Sequence, residues 1–144
     1  MSSSGNAITI HATAVAWRDR AVLLCGKSGS GKSAVAVELL ALGCQLIADD
    51  QVRLSKQGTT VVASCPPVIS GMIEVRGIGL VNAIPAPPTP VSLVIDLDVT
   101  EDTRMPHTQT ITQLGIELPL INRIAGAHFP AAILQILKAG RSER

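Results

Sequence analysis

The chain has 144 residues, 47% apolar and 1% aromatic, with twelve Lys/Arg against eleven Asp/Glu. That length suits one domain, residues 1–144, with one core, and Trp17 and Phe129 as the sole large aromatics make the core aliphatic. A formal charge of +1 argues against nucleic acid as the main partner, and no apolar run reaches the length that crosses a membrane.

The N-terminus, Met1-Ser2-Ser3-Ser4-Gly5, lacks the basic start and apolar core of a signal peptide. The expected location is therefore cytoplasmic, with residues 1–6 disordered. Residues 8–17 are β-rich and partly alternating. Arg18-Asp19-Arg20 would turn them back into the apolar run 21–25, forming an antiparallel hairpin.

The next eight residues, Gly26-Lys27-Ser28-Gly29-Ser30-Gly31-Lys32-Ser33, fit G-x-x-x-x-G-K-[ST]. Glycines let such a loop curl until its N–H groups face an anion. The helix expected over residues 34–42 puts its positive dipole end on the same spot. Lys32 can reach β- and γ-phosphates, and the Ser33 hydroxyl can ligate Mg²⁺. A Gly/Ser-rich loop matching by accident is the alternative. The strand before it and the helix after it, closed by Gly43 as a C-cap, supply the setting that the motif requires.

Residues 44–48 read as another strand, ending in Asp49-Asp50. Magnesium usually takes one or two carboxylates, often from the end of an apolar strand beside the P-loop. Side chains alternate along a strand, so the two acids should point apart unless the strand has ended. One can then face a metal and the other an incoming hydroxyl. The alternative is a polar turn, where Asp is common.

A second hairpin is expected, turning at Gln57-Gly58 and broken by Pro66-Pro67. Residues 73–76 and 91–95 are further strand candidates. Between them the Pro-rich residues 84–90 should form an exposed loop. Residues 131–139 read as a closing helix. Glu74 and Arg76 share a strand face, either as site residues or as a solvated surface. His11 lies in the first strand, where a lone histidine can be structural. His107 and His128 have no partner at metal-ligand spacing. Cys25 and Cys44 read as small apolar core residues rather than reactive thiols.

These segments resemble the C-terminal catalytic domain of HPr kinase/phosphorylase, the bacterial enzyme that phosphorylates a serine of the phosphocarrier HPr. The matching stretches are His11-Ala12-Thr13-Ala14-Val15, residues 26–33, residues 43–50, Pro66-Pro67-Val68-Ile69, and Ile73-Glu74-Val75-Arg76-Gly77-Ile78-Gly79-Leu80-Val81-Asn82. The last is similar to the family signature L-E-I-R-G-L-G-I-I. The likeness covers residues 8–97 and is weak beyond. It implies an α/β fold, a P-loop kinase core shaped like phosphoenolpyruvate carboxykinase, with a mixed sheet and β-hairpins.

The resemblance further implies ATP and Mg²⁺ as cofactors and an HPr-type protein as acceptor. It implies a homo-oligomer, hexameric in the family, while charge and the apolar runs point to no nucleic acid and no membrane partner. His11, Lys32, Asp49, Asp50 and Arg76 carry over as catalytic residues. Residues 26–33 carry over as the nucleotide loop, and Ser33, Asp50 and Glu74 as the metal side. On this reading Asp49 accepts the proton of the serine hydroxyl and Asp50 supports the metal, with the exchange of those roles left open.

There are departures. The chain looks like a short form without the family's N-terminal domain. Ala34 follows the P-loop serine where Glu is usual. A Pro-rich stretch replaces a Gly-rich, Arg-containing loop, and Ile121-Asn122-Arg123-Ile124-Ala125-Gly126 is the nearest stretch to a usual G-R-N. The expectation is an ATP-dependent protein-serine kinase with weak phosphorylase activity. The rivals are a small-molecule P-loop kinase and a nucleotide-sensing module without phosphotransfer.

Overall fold

The structure, a computed structural model, describes residues 6–67 and 70–142. The expected disorder of residues 1–6 and the match at Val68 and Ile69 fall largely outside those residues; Asn6 is described and exposed. In chain order the first elements are β1 (Ala7–Trp17), β2 (Arg20–Cys25), α1 (Lys32–Ala41), β3 (Gln45–Ala48), β4 (Gln51–Gln57) and β5 (Thr60–Ser64). The remainder are β6 (Met72–Val75), β7 (Gly79–Asn82), β8 (Thr89–Thr100), β9 (Gln109–Gln113), β10 (Ile116–Arg123) and α2 (Phe129–Ala139). The result is the mixed α/β fold with hairpins that the sequence leads one to expect.

Two long strands organise the sheet. The first half of β1 pairs antiparallel with β4, from Ala7 opposite Ser55 to His11 opposite Gln51. Its second half pairs with β2 and with β3. The start of β8 pairs with β5, and the rest runs parallel to β2 and β10. The β2–β8 pairing closes β2-β1-β4-β5-β8 into a ring, with β10 and β9 added outside it. Closure leaves the five ring strands paired on both sides, with β9 as an edge outside the ring.

Side chains along β1 and β2 alternate between two cores. Ala12, Ala14, Ala16 and Leu23 join Val52, Leu54, Val61 and Ala63 on one face. Val15, Val22 and Leu24 face the other way, under α1 and α2. Both faces are covered, so the run 21–24 is continuously apolar rather than alternating.

In α1 the buried residues are Lys32, Val35, Ala36 and Leu39, one stripe at helical spacing. The helix stops where Gly43 takes φ +112°. The Gly43 N–H donates to the Leu40 carbonyl and the Cys44 N–H to the Leu39 carbonyl, satisfying the last turn as expected of a glycine cap.

Two expectations need correction. The strand expected over 91–95 is the middle of a twelve-residue strand, and β9 and β10 form where no strand was foreseen. Residues 84–90 are largely exposed, as expected, but they are not a free loop. Leu46 N–H donates to the Ile84 carbonyl and Ala86 N–H donates to the Leu46 carbonyl, while Thr89 is buried and Pro90 already pairs with Val62. Proline lacks a donor but fits extended backbone, so a Pro-rich run can border a sheet through its other residues.

Candidate functional site

Four strands with a common direction, β2, β3, β8 and β10, end close together. The C-terminal ends of parallel strands are where open α/β sheets gather ligand-binding loops. The loop after β2 is residues 26–33. Gly26 and Gly31 take φ +151° and +100°. A Cβ on Gly26 would stand 2.6 Å from Ser30 Oγ, so the curl also needs the missing side chain.

Lys32, only 7% exposed, folds back over the loop. Its Nζ donates to the carbonyls of Gly26 at 2.7 Å and Lys27 at 3.0 Å. The two carbonyls satisfy the buried Nζ and hold it beside the hollow.

The acid pair is divided by the backbone. β3 ends at Ala48, and Asp50 takes φ +69°. Asp tolerates this left-handed conformation better than most residues, and it turns the second carboxylate away from the first. Asp49 Oδ1 accepts from Ser33 Oγ at 3.2 Å and from the buried Thr13 Oγ1 at 3.0 Å. Asp49 Oδ2 accepts the Glu74 N–H at 3.0 Å. Asp50 Oδ1 instead meets His11 Nδ1 at 3.0 Å, at the exposed edge. Of the two acids, Asp49 is the one that stands beside Ser33, because the αL turn rotates Asp50 toward β1.

One cleft of about 700 Å³ collects His11, Thr13, Lys32, Ser33, Asp49, Asp50, Glu74 and Arg76, together with Ser28, Gly29 and Gly31. Gly26, Lys27 and Ser30 build the back of the loop rather than the cleft wall. Ala34, Val37 and Val75 give the cleft an apolar flank. Another cavity of similar size lies under α2, floored by Leu93, Leu120 and Ile136, and holds none of these groups. Among the described residues no three His, Cys, Asp or Glu cluster as a metal site on their own. A hydroxyl with one or two carboxylates fits Mg²⁺, which keeps waters and shares phosphate oxygens.

Three residues at the site were not among the expected ones. Thr13 shares the face of β1 that carries His11, and that two-residue spacing was its available signal. Asp98 accepts the Lys27 N–H through both oxygens, at 3.2 and 3.1 Å. Arg123 donates from Nη2 to the Ser30 carbonyl and from Nε to the Leu97 carbonyl. Asp98 carries no local motif, and Arg123 had only its place in the stretch nearest to G-R-N as a signal.

Burial pushes the Cys44 thiol up to about 11. Cys25 is also raised to about 11, by burial and then by Asp96, with Lys32 acting the other way. Both are protonated at neutral pH, as expected of core thiols.

Known proteins can be set against this geometry. The model of the HPr Serine kinase C-terminal domain family matches residues 3–142. The chain belongs to that family. An HPr kinase/phosphorylase of Alkaliphilus metalliredigens is 42% identical over 106 residues, covering 67% of this chain and 34% of its own. HPr kinase/phosphorylase 1 of Oceanobacillus iheyensis is 28% identical over 141 residues, covering 92% of this chain and 43% of its own. The chain thus spans well under half the length of these curated relatives. The solved structure of the HPr(Ser) kinase/phosphatase from Coxiella burnetii superposes with a TM-score of 0.76 at 27% identity, covering 91% of this chain and 88% of that one. No helix among the described residues is long and apolar enough to cross a membrane.

Proposed function

We propose that this chain is an ATP-dependent protein-serine kinase acting on an HPr-type phosphocarrier protein, working as a single cytoplasmic domain within a homo-oligomer. The observation that carries the reading is the division of the acid pair, Asp49 to Ser33 and Asp50 to His11. One carboxylate would serve a metal and the other, beside His11, would take a proton.

The loop N–H groups and the α1 N-terminus would cradle the triphosphate. Ser33, Asp49 and Glu74 would hold Mg²⁺, which when bound neutralises charge on phosphate oxygens. Lys32 would leave the Gly26 and Lys27 carbonyls for the transferred phosphoryl group, where its charge acts most strongly in the transition state. Asp50 would accept the proton of the serine hydroxyl, oriented by His11. Arg76, on the cleft wall, would meet either the acceptor or the phosphate. These roles exchange those first expected for Asp49 and Asp50.

A protein acceptor suits the surroundings. Ile78 and Leu80, 77% and 70% exposed, cap the β6–β7 hairpin that carries Glu74 and Arg76. Exposed apolar groups clustered beside a cleft mark a contact surface. A small-molecule kinase would instead enclose its acceptor.

Incubation with γ-labelled ATP, Mg²⁺ and an HPr-type protein should place label on a serine. ATP binding without label transfer would favour the nucleotide-sensing reading. Transfer to small metabolites alone would favour the small-molecule kinase. Phosphorolysis should be weak, since attack by phosphate on phosphoserine brings two anions together and needs extra positive charge. No arginine lies between Arg76 and Arg104, and the guanidinium of Arg123 already serves two carbonyls. Pyrophosphate release as fast as the forward reaction would refute that.

A further inference from the structure

We propose that Asp98 and Arg123 are positioning residues that clamp the outside of the P-loop and so set which way two of its peptide groups face; this rests on the nucleotide-binding reading above. The clamp comes from strand ends far along the chain. Arg123 lies 93 residues from Ser30, and Asp98 lies 71 residues from Lys27.

A trans peptide is planar, with its C=O and N–H pointing in opposite directions. Arg123 draws the Ser30 carbonyl outward. The N–H of the same peptide unit, on Gly31, must then face the hollow where an anion binds. Asp98 draws the Lys27 N–H outward. The carbonyl of that unit, on Gly26, must then face inward, and there it accepts Lys32 Nζ. One clamp residue aims a donor at the anion. The other builds the resting dock of the P-loop lysine.

The strands are shaped to deliver these side chains. Pairing between β10 and β8 is regular up to Asn122 opposite Asp96, then slips so that Arg123 stands opposite Thr100. Such an irregularity re-aims a side chain, and here Arg123 Nε reaches the Leu97 carbonyl at 3.1 Å. The Glu101 N–H donates to the Arg123 carbonyl at 2.7 Å and Asn122 Nδ2 donates to Glu101 at 3.3 Å, fixing the slipped end. Asp98 is held in turn by its own N–H donating to Asp96 at 2.9 Å.

Gly31 provides independent support. A Cβ there would lie 3.2 Å from Arg123 Nη2. The glycine thus makes room for the guanidinium as well as permitting the turn. A loop with glycines at 26, 29 and 31 loses much freedom when it orders around a ligand, and a preset loop avoids that cost.

The test compares the wild type with Arg123→Ala and Arg123→Lys. Without nucleotide, hydrogen exchange of residues 28–33 should quicken in Arg123→Ala while β1 and β2 keep their protection. Calorimetry should show ATP and ADP affinities falling together, by about tenfold, with partial recovery in Arg123→Lys. A loss confined to ATP would mean that Arg123 touches the terminal phosphate directly and would overturn the clamp. So would unchanged exchange in residues 28–33, or faster exchange spread through β1 and β2. If the wild type binds neither nucleotide, the proposed function fails, while the exchange measurement still decides the clamp.

Discussion

The inner face of the P-loop and its outer rim are built by different stretches of the chain. Lys32, Ser33, Asp49, Asp50 and Glu74 face the cleft, all within residues 26–76 apart from His11 and Thr13 on the adjoining strand. The rim is held by Asp98 and Arg123, from strand ends that the loop motif does not touch. Groups on the inner face act on charge that changes during reaction. Groups on the rim bond to backbone, whose charge does not change. Inner-face substitutions should therefore strike turnover or metal-dependent binding, and rim substitutions should strike metal-independent affinity and loop order.

The strongest way to break this contrast is Lys32→Ala. Turnover should fall by a factor on the order of 10²–10³, the usual cost of losing one charge-stabilising donor. The fold should survive, because Lys32 bonds only to carbonyls of its own loop. Thermal unfolding and phosphotransfer measured side by side decide it. A folded variant with near wild-type turnover would remove the P-loop from the chemistry.

The acid pair sharpens the contrast within the inner face. Asp50→Asn should lower kcat by about 10²–10⁴ with ATP affinity retained, as expected for loss of a proton acceptor. Asp49→Asn and Glu74→Gln should instead weaken nucleotide binding in the presence of Mg²⁺ more than in its absence. Titrations with and without the metal separate the two patterns. If Asp49→Asn and Asp50→Asn prove kinetically alike, the division inferred from their hydrogen bonds has no chemical meaning.

Local pattern explains what could be read in advance. The hairpin of β1 and β2, the P-loop, α1 with its glycine cap, β3 and the β4–β5 hairpin all carry apolar spacing or turn residues within a few positions. The split of Asp49 from Asp50 was anticipated, but its sense was not, because it depends on where β3 stops and on a backbone φ of +69° at Asp50. β9 and β10 were missed because Gln109–Gln113 and Ile116–Arg123 lie at the outer end of the sheet, where burial is partial and Pro119 sits in the second strand. Asp98 was invisible as a site residue, and the role of Arg123 at the loop unforeseen, for a related reason. Their roles arise from a parallel pairing and a register slip, which no spacing within one segment encodes.

The smallest expected effect reads both faces at once. Cys25 ends β2 directly before the loop, and its thiol is raised to about 11 by burial and by Asp96, while Lys32 lowers it. Lys32→Ala should therefore raise the Cys25 pKa further, and Asp96→Asn should lower it. The rate of alkylation against pH, followed for Cys25 by mass spectrometry, measures both shifts. Cys44, also raised to about 11 but with Lys138 as its charged neighbour, is the internal control and should not move. The same shifts fix a stability trend. An unfolded thiol titrates near the ordinary value of 9.0, so between pH 9 and about 11 the folded chain binds more protons than the unfolded one. Stability must then fall as pH rises through that window. A Cys25 pKa that ignores Lys32→Ala would mean that the charge of Lys32 is screened from the end of β2.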